Sequence, residues 1–117
     1  MPKKEEGSLL LEFFGDRPFF RVVDFLLENR LQDFSKSEIA RGADVSWATL
    51  YALWPKFERQ GIVKATRKVG NITLYQLNEA TPLVKELKRM ELALIRQAAD
   101  FNEAEVKIKV RTARPAH

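Results

Sequence analysis

The stretch FSKSEIARGADVSWATLYALWPKFERQGIVKATRKVGNITLYQL, residues 34–77, reads as two short helices, a helix stop and a basic hairpin. Ser35-Lys36-Ser37-Glu38 has the spacing of a capping box, in which the serine oxygen and the glutamate carboxylate each satisfy a free backbone amide of the first turn. Ile39 and Ala40 give this helix an apolar face, and Gly42-Ala43-Asp44-Val45 reads as the turn after it. Ser46 is placed to cap a second helix running to Gln60, where Gly61 suits the left-handed residue that ends a helix. Strand-like runs at 62–68 and 72–77 follow, joined by Val69-Gly70-Asn71, whose Gly and Asn tolerate the positive φ of tight hairpins. Two helices, a tight turn and a hairpin are the parts of a winged helix-turn-helix, the layout that sets a short helix into the major groove of DNA.

Working outward towards the N-terminus, residues 1–8 read as a loose polar lead, and residues 9–14 as a helical turn ending at Gly15. Asp16 is a candidate cap for the next helix, with Pro18 in its first turn, where a missing amide proton costs little. That helix should run to about Asn29. Phe19, Phe20, Val22, Val23, Phe25, Leu26 and Leu27 make it apolar nearly all round, so it is the expected core helix. Towards the C-terminus, Thr81-Pro82 opens a long helix to about Phe101. Leu83, Leu87, Met90, Leu94, Ala98 and Phe101 recur by fours and threes along it, a coiled-coil-like seam broadened by Val84, Glu91 and Ile95. The seam points to homodimerisation through Leu83, Leu87, Met90, Leu94 and Phe101; the other reading is that the helix folds back to cover residues 9–14. Residues 106–111 alternate apolar and basic side chains, which fits an edge strand or a basic tail. The expected architecture is α+β, mainly α. It comprises a lead at 1–8, a winged helix-turn-helix with a two-stranded wing at 9–77, a C-terminal dimerisation helix at 78–104, and a basic tail or edge strand at 105–117.

At 117 residues the chain has enough length for one modest core and an appended element. Its apolar content of 45% is ordinary for a globular protein. A formal charge of +4 and a pI near 9.5 favour an anionic partner. The distribution says more than the total. Between Lys56 and Lys68 the basic residues Lys56, Arg59, Lys64, Arg67 and Lys68 face a single acid, Glu58, and the tail carries Lys107, Lys109, Arg111 and Arg114 with no acid after Glu105. The absence of cysteine excludes disulfides and thiolate metal sites, and fits a reducing interior. With no apolar run long enough for a secretory core or a membrane span, the expected location is the cytoplasm.

Leu50, Leu53, Trp54 and Phe57 recur at helical spacing and should face the core, leaving Ser46, Trp47, Ala48, Tyr51 and Ala52 on the opposite face. In a helix-turn-helix the N-terminal part of the second helix reaches the bases. Ser46 and Thr49 are therefore candidate donors to phosphate or base. Trp47 and Tyr51 form an aromatic pair that suits either sugar and thymine-methyl contacts or packing against the N-terminal segment or a second subunit. The face lacks an Arg, Asn or Gln for a two-point base contact. Pro55 predicts a kink or break near residues 51–55, since it removes the hydrogen bond to the Tyr51 carbonyl, and a kink would re-aim Lys56 and Arg59. Arg67 and Lys68 stand just before the hairpin turn and Asn71 at its tip, within reach of phosphates beside a docked helix.

The segments LEFFGDRP (11–18), FLLEN (25–29), SEIA (37–40), Val45-Ser46, residues 51–63 and RKVGNITLYQL (67–77) resemble archaeal winged-helix transcriptional regulators of the broad MarR/ArsR-like group. The resemblance spans roughly residues 9–95. It implies residues 46–51 on DNA, a wing at 67–71 and a dimerising C-terminal helix. Enzymatic chemistry is the poorest fit, because the one histidine is the terminal His117, no cysteine exists, and Gly61 and Gly70 are isolated turn residues. Metal and cofactor binding lack a ligand set for the same reason, and no small-molecule pocket is evident. The expected function is a homodimeric, sequence-preferring duplex-DNA regulator of transcription, more a repressor by occlusion than an activator. The alternative is a winged-helix adaptor that makes protein contacts through Trp47 and Tyr51 in a nucleic-acid-processing assembly.

Overall fold

The computed structural model describes residues 8–112, with side chains through residue 100. Five helices and one hairpin follow in order: α1 (Leu9–Phe14), α2 (Pro18–Glu28), α3 (Lys36–Ala43), α4 (Trp47–Arg59), β1 (Val63–Val69), β2 (Ile72–Leu77) and α5 (Pro82–Thr112). The fold is the expected winged helix-turn-helix with a C-terminal helix. α2 sits at its centre and buries Val22, Val23, Leu26 and Leu27 against α1, α3, α4 and β2. Leu10, Ile39, Ala40, Ala43, Leu50, Trp54, Phe57, Ile62, Val63, Leu77 and Val84 complete a core drawn from every element.

Most of the expected punctuation is present. The capping box of α3 closes both ways, the Glu38 amide donating to Ser35 Oγ and the Ser35 amide to the Glu38 carboxylate. Ser46 Oγ accepts the Thr49 amide at the start of α4. Gly61 takes φ +70°, with its carbonyl accepting the Thr81 hydroxyl at 2.6 Å, so the end of α4 is tied to the approach to α5. Gly70 takes φ +64° at the first position of the hairpin turn, while Asn71 has no positive φ, the pattern of a type II′ turn.

Several expectations are corrected. The lead expected at 1–8 lies outside the described residues except for Ser8, whose side chain caps α1. Asp16 does not cap α2: Arg17 occupies that position without a side-chain bond, and Asp16 accepts two hydrogen bonds from the Arg21 guanidinium, at 2.6 and 3.2 Å. Two parallel bonds from a guanidinium, both partners charged, hold the carboxylate more strongly than the single backbone amide of a cap would. Gly42 is not a turn residue but the penultimate residue of α3, and a Cβ there would collide with the Phe25 ring. The turn is made by Asp44, which takes the left-handed conformation (φ 60°) and is clamped when its carbonyl accepts Arg21 at 2.8 Å.

Pro55 does not break α4, which runs uninterrupted through it; Leu50, Trp54 and Phe57, buried on either side, hold the segment in place. α5 runs past the expected end near Phe101, and residues 106–111 are helical instead of an edge strand. No Gly or Pro interrupts the chain between Pro82 and Thr112, and each further helical residue adds a hydrogen bond at little cost. The fold-back reading of the seam is met in part. Val84 is buried and Leu87 and Leu94 pack on the domain, α5 lying against α1, while Leu83, Met90, Leu92 and Ile95 stay exposed. The Phe101 side chain lies outside the described set. Among the described residues no helix is long and apolar enough to cross a membrane.

Candidate nucleic-acid interface

α4 leaves the turn at Ser46 with Leu50, Trp54 and Phe57 locked into the core, and this fixes which side of the helix remains outside. That side carries Trp47 (50% exposed) and Tyr51 (63% exposed), their ring centroids 5.8 Å apart, with Ala48 and Ala52 exposed beside them. The Ser46 hydroxyl donates to Thr49 Oγ1 at 2.8 Å while accepting the Thr49 amide, so its own proton is engaged in capping.

The wing stands against this helix through two sets of ties. Its base is held by the backbone of Phe34, which pairs both ways with Tyr75 at 2.8 and 2.7 Å, and by the Tyr75 ring, edge-on to Trp54 at 4.9 Å. Its far part is held by Asp33. The strands pair antiparallel, but the register slips between Ala65 and Arg67, leaving Thr66 as the extra residue of a bulge. Thr66 Oγ1 donates to Asp33 Oδ2 at 2.7 Å, and Arg67 donates through Nε at 2.9 Å and a terminal nitrogen at 3.2 Å to the same carboxylate. The Arg67 guanidinium, followed by the Thr66 hydroxyl, holds the Asp33 carboxyl below the usual carboxylate range, and Asp33 raises Arg67 in return.

Between the N-terminus of α3, the start of α4 and the wing lies an open groove of about 360 Å³, lined by Ser35, Lys36, Ser37, Trp47, Asn71, Ile72, Thr73 and Tyr75. Lys36 is the basic residue that sequence reasoning missed. Its Nζ lies 5.2 Å from the Trp54 ring centroid and 5.8 Å from those of Tyr51 and Tyr75, joining α3 to α4 and the wing through cation–π contacts. Its place in the first turn after the capping serine was the available signal. Lys68 pairs across the hairpin with Thr73, and cross-strand partners share a face, so Lys68 stands on the groove side of the wing. Arg67 pairs with Leu74 and stands on the other face, beside a second groove of about 440 Å³ that also takes in Asp33, Glu38 and Arg41.

The structure therefore brings Trp47, Asn71 and Lys68 to one side, with Ser46, Ala48, Thr49 and Tyr51 on the adjoining helix. It does not bring Lys56 there. Nine positions beyond Trp47 is about half a turn round the helix, and Lys56 Nζ lies 4.6 Å from the Phe19 ring centroid. Among the described residues no group of three or more His, Cys, Asp or Glu is placed to hold a metal ion.

No family model and no curated protein matches the sequence. Solved structures do. An apo-form mutant of ZitR from Lactococcus lactis superposes with a TM-score of 0.56 at 20% identity, over 88% of this chain and 85% of that one. The adhesin competence repressor AdcR from Streptococcus pyogenes gives 0.51 at 15% identity, over 96% and 84%. A MarR family protein from Bacillus stearothermophilus gives 0.50 at 17%, over 95% and 85%. At these identities the likeness is one of fold: the helices, wing and C-terminal helix follow the winged-helix plan of MarR-type regulators.

Proposed function

We propose that this protein binds duplex DNA as a homodimeric, sequence-preferring regulator of transcription and represses by occluding its site. The observation that carries the reading is the groove between α4 and the wing. An exposed helix N-terminus bearing Trp47, Ala48, Thr49 and Tyr51 borders a groove that Lys36 and Asn71 line together, with Lys68 on the same side of the wing. Such a helix fits a major groove while the cations beside it meet neighbouring phosphates. The adhesin competence repressor AdcR shares the fold and lends support to the same role here.

In this reading phosphate contacts supply most of the affinity and the aromatic pair supplies modest readout, because the face has no two-point base reader. Lys56, set over Phe19, contributes only to the general positive field. The exposed apolar residues of α5, Leu83 and Met90 foremost, extended towards Phe101, form the subunit contact, with Leu87 and Leu94 shared between that contact and the domain's own core. A dimer would present two recognition helices to half-sites about one turn apart, ~34 Å. The working location is the cytoplasm.

The test is fluorescence anisotropy of a labelled mixed-sequence duplex titrated from low to physiological salt. Binding that weakens steeply with salt supports the reading, because each neutralised phosphate releases counterions. No binding at low salt would overturn it. The exposure of Trp47 and Tyr51 favours a second reading, a protein adaptor using the aromatic face, and Trp47→Ala separates the two. It should abolish capture of a protein partner in the adaptor case, and reduce DNA affinity with an unchanged salt slope in the DNA case.

A further inference from the structure

We propose that Asp33 sets the charge that the wing offers to a phosphate, keeping Arg67 as a positioning residue and leaving Lys68 as the wing's contact. The inference rests on the DNA-binding reading and deepens it.

Arg67 and Lys68 are adjacent, both on a protruding hairpin, and a charge count treats them alike. Their surroundings differ. The Arg67 side chain is 63% exposed, yet its Nε and one terminal nitrogen are already paired with the two oxygens of one carboxylate. This is the planar two-point geometry that arginine would use on a phosphate. The carboxylate is itself fixed. Asp33 immediately precedes Phe34, whose backbone is bonded both ways to Tyr75 in β2, and its side chain is only 19% exposed.

The bulge completes the device. In a regular strand Thr66 and Arg67 would point to opposite faces; the extra residue lets both aim at Asp33, and Thr66 adds a third hydrogen bond to it. A phosphate approaching Arg67 would have to displace a carboxylate already held in place. Lys68, on the opposite face beside Thr73, has a compact ammonium with no ion pair among those of the described residues. Asp33 thus cancels one wing cation electrostatically while using it to fix the hairpin that carries the other.

The test is the slope of log Kobs against log salt on one duplex for the wild type, Asp33→Asn, Arg67→Gln and Lys68→Gln. The amide introduced by Asp33→Asn retains an acceptor for Arg67 and Thr66 without the charge, and the one introduced by Arg67→Gln retains a donor for Asp33. For each wing, Asp33→Asn should steepen the slope by about 0.9 and raise affinity ~5- to 10-fold at 0.1 M salt, because a guanidinium no longer neutralised by a carboxylate can neutralise one further phosphate. Lys68→Gln should flatten the slope by a similar amount, and Arg67→Gln should leave it unchanged.

A purely structural Asp33 would give Asp33→Asn an equal or flatter slope with weaker binding, and that result overturns the proposal. So does an Arg67→Gln slope flattened as far as that of Lys68→Gln. The Arg67 Nε–H resonance supplies a readout without DNA: slow solvent exchange in the wild type that accelerates in Asp33→Asn supports the latch, and equal exchange in both opposes it. Wild-type binding with an unchanged Asp33→Asn slope defeats this inference alone, whereas no binding by any of the four proteins defeats the DNA reading and this inference together.

Discussion

The helix-turn-helix pair and the wing border the same groove, but different physics holds each in place. α3 and α4 are seated by apolar burial, with Ile39, Ala43, Leu50, Trp54 and Phe57 all in the core. Beyond its buried base at Val63 and Leu77, the wing is placed by polar and edge contacts: the backbone bridge at Phe34, the Gln76 amide on the Arg30 carbonyl, the Tyr75 ring against Trp54 and Lys36, and the Asp33 carboxylate. A change in the first region should cost global stability. A change in the second should alter what the groove presents while the domain stays folded.

The largest expected effect lies in the helical half. Phe57 is fully buried, stacked with Phe19 at 4.9 Å and packed beside Trp54. Phe57→Ala should therefore lose about 3–5 kcal/mol in chemical denaturation. A loss under ~1 kcal/mol would show that the helices are not held by burial. Gly42→Ala comes next. Alanine favours the helix by about 1 kcal/mol, but its Cβ meets the Phe25 ring, which is itself tilted against Phe34. Overpacking of that kind costs about 1–3 kcal/mol, so a net loss is expected, and a gain would mean that Phe25 swings aside freely.

The wing's polar latch should show as a pH effect. Asp33 has a lowered pKa in the folded protein, so the stability it contributes is present above its unfolded value, ~3.9, and is lost as pH falls through the folded one. Measured against the intrinsic exchange rate at each pH, wing amides should lose protection at acid pH in the wild type, while in Asp33→Asn that acid-dependent step should be missing.

The smallest effect is expected on α5. Glu91 has a raised pKa, first through burial and then through Asp24 and Glu28 on α2, with Arg30 opposing. Lys88 lies in the same pocket. A raised carboxyl contributes stability below its unfolded pKa and loses it as pH rises through the folded one. Glu91→Gln should therefore raise the Tm at pH 7 by roughly 2 °C, a partly exposed charge being screened, with the difference vanishing below pH 4.

Much of this fold was legible because its signals are local. The capping box, the Ser46 cap, Gly61, the hairpin glycine and the buried stripe of α4 each depend on residues within a turn or two of each other. What escaped depends on distant partners. Gly42 reads as a turn glycine until Phe25 is seen against it. Asp33 and Arg67 are far apart in sequence, and no periodicity links them, so Arg67 reads as a free cation. Asp16 reads as a cap because its competitor, Arg21, lies outside the capping pattern. Lys36 was hidden by its position inside a motif already explained by capping. Of the candidate interface, the α4 face followed directly from helical spacing, while the sorting of the wing's cations onto two faces needed the bulge at Thr66.

The protein's two tryptophans offer the most direct test of the central claim, that the groove between α4 and the wing is a DNA interface. Trp47 is exposed on the groove and Trp54 is buried beneath it. Their two indole N–H resonances should be followed by nitrogen–proton correlation NMR as a short mixed-sequence duplex is added at low salt. The expected result is a large shift of the Trp47 indole, together with the amides of Ser35 to Ser37, Tyr51 and Lys68 to Thr73, while the Trp54 indole stays nearly still. A bound complex in which the Trp47 indole does not move, or in which the shifts fall on α5 instead, would contradict the account.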